Sequence, residues 1–303
     1  MKHIGYLFPG QGSQYIGMME KVPKSSIAQS YLQVFTKEFG KSIESFTAEE
    51  INLTQFTQPI LYTISACYLR WIQEIEDPPS FLAGHSLGEI SALFASDVLS
   101  FEEGLALTKY RGKLMEEVTQ DTPGGMCAII GLPIHEVKAL CEKLQSFGVA
   151  EAVNINAEKQ IVISGSSLAM EKAPTLAKEM GARMCIPLKV SAPFHSSLMK
   201  PIERKFSEFL QNYGFKDATI PILQNVDAQP HQCAKSLKYN LIQQLSHPVL
   251  WKNSLDEMIA RGVTEAFEIG PKNVLSGLCR GTKIKCVPVE TLQKTEKASI
   301  LRH

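Results

Sequence analysis

The sequence predicts an α/β protein in which a small subdomain is inserted into a larger domain, and two patterns support this. A short apolar run at residues 79–83 is followed by G-H-S-L-G at residues 84–88 and then by a helical pattern over 89–95. A strand, G-x-S-x-G and a helix in succession form the pattern of a nucleophile elbow. Between residues 121 and 188 the predicted elements follow the order β-α-β-β-α-β, which is the ferredoxin-like pattern.

The elbow pattern predicts a role for Ser86. The turn is sharp, and the glycines at its two ends remove Cβ atoms that would collide there. The Ser86 hydroxyl is therefore expected at the top of a sheet, beside a helix N-terminus whose free N–H groups face any oxyanion that forms. The alternative is a glycine-rich strand-to-helix turn in which Ser86 only caps the helix.

Composition narrows the class of protein. The chain has 303 residues, 44% of them hydrophobic, and a formal net charge of zero, which argues against general binding to nucleic acid or to membrane surfaces. Seven scattered cysteines without a C-x-x-C pair predict reduced thiols in the cytoplasm, with no disulfide framework and no metal site. Neither a signal peptide nor a membrane-spanning stretch is predicted.

The N-terminal part contains a strand, a loop and two helical regions. Residues 4–8 form a predicted buried strand, and P-G-Q-G-S-Q at residues 9–14 follows as a glycine-rich loop. That loop either brings backbone close to a ligand or is an ordinary turn, and it lacks the G-K-[ST] ending of a phosphate-binding loop. Residues 25–50 have a helical pattern. A second helix is predicted to start near Thr57, with Pro59 in its first turn.

The helix after the elbow carries an arginine on its apolar side. Ser100 and Glu103 form a predicted capping box at its start. Leu107 and Leu114 belong to its apolar stripe, and Arg111 lies in the same stripe. A buried arginine must find an anion, because an unpaired buried charge is costly. The anion is either the carboxylate of a structural salt bridge or that of a substrate.

The rest of the chain divides into the small subdomain and a C-terminal return to the larger domain. We predict the larger domain over residues 1–120 and 189–303 and the ferredoxin-like subdomain over 121–188. His195, in a loop before an amphipathic helix, is the candidate base among the seven histidines. In the C-terminal part, strands are predicted at 220–225 and 265–268 and helices at 239–245, 251–260 and after 273.

Taken together, six segments resemble the malonyl-CoA:acyl carrier protein transacylase family in order and spacing, over about residues 3 to 285. They are P-G-Q-G-S-Q at 9–14, T-Q-P at 57–59, G-H-S-L-G-E at 84–89, R-G at 111–112, F-H-S at 194–196 and G-P at 270–271.

The resemblance implies an α/β-hydrolase-like large domain, a ferredoxin-like small subdomain and an active site between them. By motif, Ser86 is the nucleophile and His195 its base, in a Ser–His dyad without an acidic third member. Gln11 and Leu87 supply oxyanion-hole N–H groups, and the backbone carbonyl of Gln244 orients the histidine. The substrate-binding residues by resemblance are Arg111, which pairs with the malonyl carboxylate, and Met115, Phe194, Val274 and His85.

The implied reaction is ping-pong transfer of malonyl from malonyl-CoA, through a malonyl-serine ester, to the phosphopantetheine thiol of an acyl carrier protein. No permanently bound cofactor is implied. Phe194 before the histidine and the stretch T-Q-F-T-Q-P at 54–59 are most similar to freestanding (trans-acting) acyltransferases of polyketide synthases. The predicted pathway is therefore polyketide synthesis, with fatty acid synthesis as the alternative.

Two rival functions remain open from the sequence. One is a hydrolase of the same fold that strips stalled acyl chains from carrier proteins, a class that typically lacks the arginine. The other is a degenerate subunit that binds carrier protein without catalysis. The presence of Arg111 disfavours the first, and the filled catalytic positions disfavour the second.

Overall fold

The structure, a computed structural model, describes residues 3–190 and 192–292. Residues 1–2, 191 and 293–303 belong to the predicted larger domain and lie outside the described residues. In chain order the strands are β1 His3–Phe8, β2 Phe81–Gly84, β3 Gly124–Ile130, β4 Ala150–Ala157, β5 Gln160–Ser166, β6 Met184–Pro187, β7 Ile222–Leu223, β8 Pro230–His231, β9 Val263–Glu268 and β10 Lys285–Pro288.

The α-helices lie between and after these strands. They are α1 Ser26–Phe39, α2 Thr54–Ile72, α3 Gly88–Ala95, α4 Phe101–Asp121, α5 Ile134–Leu144, α6 Ser167–Glu179, α7 Lys200–Leu210, α8 Ala234–Gln243, α9 Trp251–Ala260 and α10 Val274–Cys279.

Two sheets organise the chain, and the predicted fold class is confirmed. The larger sheet has the order β10-β9-β1-β2-β7-β8 and is parallel except for the β7–β8 pair. The smaller sheet has the antiparallel order β4-β5-β3-β6, which is the ferredoxin-like arrangement of its β-α-β-β-α-β elements. The small sheet packs α5 and α6 against one face around its own cluster of buried side chains.

Several predicted elements differ from the structure. Helix α2 begins at Thr54, so Pro59 lies inside it and not in its first turn. The N-cap position, Leu53, has no side-chain cap, and so the sequence carries no start signal there. Within the predicted helical region 25–50, α1 ends at Phe39 because Gly40 adopts the left-handed conformation (φ 70°). Strands β8 and β10 are short edge strands that the apolar pattern does not reveal.

The fold places two loops side by side at the carboxyl ends of β1 and β2. These strands pair in register from Gly5–Phe81 to Phe8–Gly84. The loop after β1 and the elbow after β2 therefore leave the sheet at the same edge, where parallel α/β sheets bind ligands. The His85 N–H donates to the Phe8 carbonyl at 2.9 Å and ties the two loops together.

Close backbone contacts exclude any side chain at the two glycines of the elbow, Gly84 and Gly88. A Cβ at Gly84 would lie 1.9 Å from the carbonyl carbon of Gly88, and a Cβ at Gly88 would lie 2.0 Å from the Phe8 carbonyl oxygen. Real Cβ atoms do not approach backbone this closely. The helix α3 thus packs directly against the strand edge, and any side chain at either position would push them apart.

We therefore expect Gly88→Ala to lower the free energy of unfolding by about 3 kcal/mol or more. Chemical denaturation followed by circular dichroism measures this change. Gly277→Ala is the matched control, since a Cβ at Gly277 in α10 meets no atom within 4 Å and alanine favours the helix. Equal stability of the Gly88→Ala variant and the wild type would contradict the proposed packing of the elbow.

Candidate active site

Ser86 has the strained backbone of an elbow nucleophile. Its φ is 52°, in the left-handed region that non-glycine residues rarely adopt. Its N–H donates to Asn225 Oδ1 at 2.7 Å, which holds the turn. Leu87, not Ser86, occupies the N-cap of α3, and it forms no side-chain cap. The Ser86 hydroxyl does not cap the helix and instead contacts His195 and Arg111.

His195 forms a hydrogen bond with the Ser86 hydroxyl. The Ser86 Oγ to His195 Nε2 distance is 2.8 Å, and His195 Nδ1 lies 2.8 Å from the Gln244 carbonyl oxygen. Because a carbonyl only accepts, Nδ1 carries the proton and Nε2 is left as the acceptor. This is the tautomer that takes a proton from serine. The orienting group is a backbone carbonyl, so the pair is a dyad.

Burial holds His195 in its neutral form. The side chain is 3% exposed. Burial, and secondly the nearby Arg111 charge, lower the pKa of His195 to about 3. The Gln244 carbonyl opposes this shift in part. Neutral imidazole is the form that acts as a base, and it is the main form over the whole physiological pH range.

This shift predicts that the first-order rate at which Ser86 is acylated falls little on acidification. Acylation at pH 5 is expected within about twofold of that at pH 7, whereas an enzyme whose base is an ordinary histidine with pKa near 6.5 would lose about 25-fold in rate. Rapid quenching at each pH measures the rate. Glu89→Gln serves as the control, because burial raises the pKa of Glu89 to about 7 and this carboxyl titrates in the same range. A profile with a midpoint near 6.5 that persists in this variant would contradict the neutral histidine.

Arg111 lies at the base of the cleft and is 1% exposed. It comes from the middle of α4, where a buried cation breaks the apolar stripe. Its Nη1 donates to Gln58 Oε1 at 2.8 Å, and Nη2 donates to Gln244 Oε1 at 2.8 Å and to Ser86 Oγ at 3.2 Å. The guanidinium is thus held by neutral amides, with one edge against the nucleophile.

Arg111 is a buried cation whose charge no protein carboxylate neutralises directly among the described residues. In the described part of the chain no carboxylate forms an ion pair with it, and its buried Nε–H has no acceptor. Burial lowers its pKa to about 10, and the charge of buried Glu89 raises it in part. An uncompensated buried cation is costly. A planar carboxylate bound beside Ser86 would supply both the charge and the acceptor.

The sequence did not indicate the roles of three side chains behind the dyad, those of Gln244, Asn225 and Glu89. Gln244 contributes its amide as well as its carbonyl, since Nε2 donates to the Ser86 carbonyl at 3.1 Å and to Asn225 Oδ1 at 3.2 Å. Asn225 Nδ2 donates to the Gly84 carbonyl at 2.7 Å, and its own N–H donates to Glu89 Oε2 at 2.8 Å. Glu89 is fully buried and follows the elbow directly. The G-H-S-L-G-E motif contained this signal, because a carboxylate on a buried helix turn needs partners.

Two backbone N–H groups without a backbone acceptor in the described part of the chain belong to residues that line the cleft. Gln11, from the loop after β1, and Leu87, from the elbow, both line the cleft that Ser86 enters. Within the described residues, no backbone carbonyl accepts from either N–H. Free N–H groups beside a nucleophile form an oxyanion hole. The structure thus brings Gln11 and Leu87 to the same cleft as Ser86, from loops that leave adjacent strands.

The cleft has a volume of about 360 Å³ and lies between the two sheets. Met115 and Phe194 line it, as do Met126 and Leu188 from the small subdomain and the rim lysines Lys189 and Lys272. His85 also lines the cleft, with Nε2 2.8 Å from Asn156 Oδ1.

Val274 is the one substrate-binding residue of the resemblance that the structure does not bring to the cleft. It lies in the first turn of α10, is 42% exposed, and is not among the lining residues.

The described ranges, 3–190 and 192–292, hold no group of three His, Cys, Asp or Glu side chains arranged for a metal ion. Among the same residues, no helix is long and apolar enough to cross a membrane.

Comparisons with known proteins extend over nearly the whole chain. The acyl transferase domain family matches residues 5–297. A malonyl CoA-acyl carrier protein transacylase of Bacillus subtilis (strain 168) is 40% identical over 98% of this chain and 96% of that relative. One from Staphylococcus aureus (strain MRSA252) is 38% identical over 97% of both chains.

Solved structures give the same similarity. A malonyl transacylase in complex with its type II polyketide synthase acyl carrier protein superposes with a TM-score of 0.91 at 33% identity, over 95% of this chain and 96% of that chain. An acyl-carrier-protein S-malonyltransferase from Burkholderia pseudomallei 1710b superposes with a TM-score of 0.90 at 37% identity, over the same shares of the two chains.

Proposed function

The chain belongs to the malonyl CoA-acyl carrier protein transacylase family, and on that premise we propose that it moves malonyl from malonyl-CoA to the phosphopantetheine thiol of an acyl carrier protein. The single observation that identifies the substrate class is the buried Arg111, whose Nη2 lies 3.2 Å from Ser86 Oγ. Among the described residues, no carboxylate forms an ion pair with this arginine. A malonyl thioester has its carboxylate two bonds from the carbonyl carbon that Ser86 attacks. One substrate therefore meets both groups.

In the first half-reaction, Ser86 Oγ attacks the thioester carbonyl while its proton passes to His195 Nε2. The oxyanion receives hydrogen bonds from the Gln11 and Leu87 N–H groups, each worth roughly 3 kcal/mol in the transition state. When the tetrahedral intermediate collapses, the C–S bond breaks. The CoA sulfur takes the proton from His195, and malonyl remains on Ser86 as an ester.

The second half-reaction repeats these steps with another thiol. The phosphopantetheine S–H gives its proton to His195 as the sulfur attacks the malonyl ester carbonyl. The same two N–H groups stabilise the oxyanion, and the bond from the acyl carbon to Ser86 Oγ then breaks. Ser86 recovers the proton from His195. The cycle needs no metal and no bound cofactor, and phosphopantetheine arrives with the partner.

Arg111 supports transfer of malonyl over hydrolysis of neutral acyl chains. Its planar guanidinium offers donors in a fork that suits a carboxylate, which lysine does not reproduce. The walls of the cleft, Met115, Met126 and Phe194, are apolar and buried. A short acyl group with a terminal anion fits this combination. A long neutral acyl chain would leave the arginine desolvated and unpaired.

The test compares thiol transfer with hydrolysis. Malonyl-CoA is mixed with the protein in the presence and absence of a phosphopantetheinylated carrier protein, and free CoA and malonyl-carrier protein are quantified. We expect about one equivalent of CoA per enzyme without carrier protein, and continuous turnover with it. Continuous CoA release without carrier protein, with acetyl-CoA consumed as fast as malonyl-CoA, would support the hydrolase instead.

The pathway is proposed as polyketide synthesis, on Phe194 and residues 54–59. Phe194 is 6% exposed and lines the cleft directly before His195. Competition between carrier proteins of the two pathways tests this proposal, and the preferred carrier is expected to come from a polyketide synthase lacking its own acyltransferase domain. Preference for the fatty acid carrier would reverse the assignment. A cytoplasmic location remains a prediction from the cysteines.

A further inference from the structure

The loop that carries the Gln11 N–H is held by a lysine from the opposite end of the chain. We call residues 10–14 the oxyanion loop. Lys272 Nζ donates to the Gly12 carbonyl of this loop at 3.0 Å, across 260 residues of sequence. Lys272 lies in the turn between β9 and α10, and its side chain forms part of the rim of the cleft.

Lys272 adopts a backbone conformation that disfavours its side chain. Its φ is 63°, in the left-handed region. For a residue other than glycine this conformation costs roughly 1–2 kcal/mol. Its N–H donates to Glu290 Oε2 at 3.2 Å, which holds the turn. Glycine would adopt this turn without strain. A lysine at this position is therefore expected to offset the cost through a contact of its side chain. The hydrogen bond to the Gly12 carbonyl is such a contact.

Hydrogen bonds connect Lys272 to the oxyanion hole through two peptide groups. The peptide group whose carbonyl accepts from Lys272 has the Ser13 N–H at its other end, and that N–H donates to the Gly10 carbonyl at 3.4 Å. The buried Ser13 hydroxyl donates to the same carbonyl at 2.8 Å. The Gly10 carbonyl in turn shares its peptide group with the Gln11 N–H. In a trans peptide, C=O and N–H point in opposite directions.

The connected bonds therefore run from a cation to the Gln11 N–H, with both peptide dipoles aligned. Hydrogen bonds in such a chain polarise one another by roughly 10–30% per bond. The bonds to Gly10 and Gly12 also fix the plane of each peptide group. The Gln11 N–H is thus aimed before substrate arrives, which is the condition for strong stabilisation of an oxyanion.

We propose that Lys272 is a positioning residue of the oxyanion hole, acting with Ser13 through the oxyanion loop to orient and polarise the Gln11 N–H. This inference rests on the proposed malonyl transfer. Lys272 does not touch the reacting atoms. Its effect belongs to the chemical step of acylation and deacylation and not to the affinity for substrate.

The test measures single-turnover acylation of Ser86 with the malonyl thioester of N-acetylcysteamine. This probe has no nucleotide, so an electrostatic contact between Lys272 and the CoA phosphates does not contribute. Lys272→Met is expected to lower the maximal acylation rate about tenfold, with the half-saturating concentration unchanged within about twofold. Lys272→Arg, which keeps the donor, is expected within about threefold of wild type.

Two further variants separate orientation from stability. Lys272→Gly removes the donor and also the backbone strain, so it is expected to acylate as slowly as Lys272→Met while unfolding at the same or a higher temperature. Lys21→Met is the matched control, because Lys21 lies in the same surroundings. Its Nζ is 3.4 Å from Glu290 Oε2, and Glu290 also accepts from the Lys272 N–H. The Nζ atoms of Lys21 and Lys272 lie 5.6 Å and 5.9 Å from the centroid of the Tyr15 ring. The Lys21→Met variant is expected to acylate at the wild-type rate.

The outcomes are distinct. Wild-type acylation by Lys272→Gly, or an effect of Lys272→Met that appears only as weaker binding, would overturn the role of Lys272 and leave malonyl transfer intact. Failure of the wild-type protein to form malonyl-serine would instead overturn the proposed function.

Discussion

Replacing Ser86 by alanine is expected to abolish the malonyl-enzyme and to lower transfer to carrier protein by at least about 10⁴-fold. Among the residues that the structure describes, this hydroxyl is the group that hydrogen-bonds His195 Nε2, at 2.8 Å, and it can form an ester. Intact-protein mass spectrometry after exposure to malonyl-CoA measures the adduct, and a carrier-protein assay measures transfer. The buried Arg111 and the oxyanion loop remain in the variant, so substrate still binds.

Ser91→Ala is the matched control for this experiment. Ser91 is buried on α3, five residues after Ser86. It tests whether loss of a buried hydroxyl from this helix affects folding. We expect a full malonyl adduct in this variant. An adduct of equal yield on the Ser86→Ala protein would place the nucleophile elsewhere.

The second large effect is expected for Arg111→Ala, in which malonyl acylation falls about 100-fold while acetyl acylation is unchanged or faster. A charge-assisted hydrogen bond contributes roughly 1.5–3 kcal/mol, and the malonyl carboxylate loses this partner. A neutral acyl group gains by contrast, because it no longer enters a cleft with a desolvated cation at its base. The ratio of acylation rates with malonyl-CoA and acetyl-CoA is the measured quantity.

Arg111→Lys serves as the control, because it keeps the charge without the planar fork, and an intermediate malonyl rate is expected. Thermal unfolding of both variants reports on the fold, since Arg111 also holds Gln58 and Gln244. If acetyl and malonyl acylation fell equally, Arg111 would have a structural role and the substrate proposal would lose its main support.

Local sequence patterns predicted the parts of the fold that depend on near neighbours. The elbow pattern of two glycines and a serine lies within five residues, and the close contact of Gly84 is with Gly88 inside it. The capping box of Ser100 and Glu103 is present as predicted, with both of its reciprocal hydrogen bonds. Helix α9 also has its predicted bounds, Trp251–Ala260.

Local sequence patterns do not predict the contacts between side chains that are distant in the sequence. Asn225 reaches Ser86 across 139 residues, and the Gln244 side chain reaches Arg111 across 133. An asparagine or glutamine in a loop looks the same in sequence whether it supports a nucleophile or faces water. The resemblance supplied the Gln244 carbonyl, but not the amide that also contacts Arg111. Val274 shows the converse, because a matching motif position does not fix which way a short helix faces.

The central place of β1 has a consequence for when the protein becomes active during its own synthesis. This strand is made before both of its neighbours in the sheet, β2 and β9, and β9 comes after Ser86, Arg111 and His195 in the chain. The Gln244 carbonyl that orients His195 is made 49 residues after the histidine. At about 5–20 residues per second, a growing chain would carry Ser86, Arg111 and His195 for several seconds before the site closes. Throughout that interval the serine has no oriented base, so nascent chains are expected to leave the malonyl-CoA of their surroundings untouched.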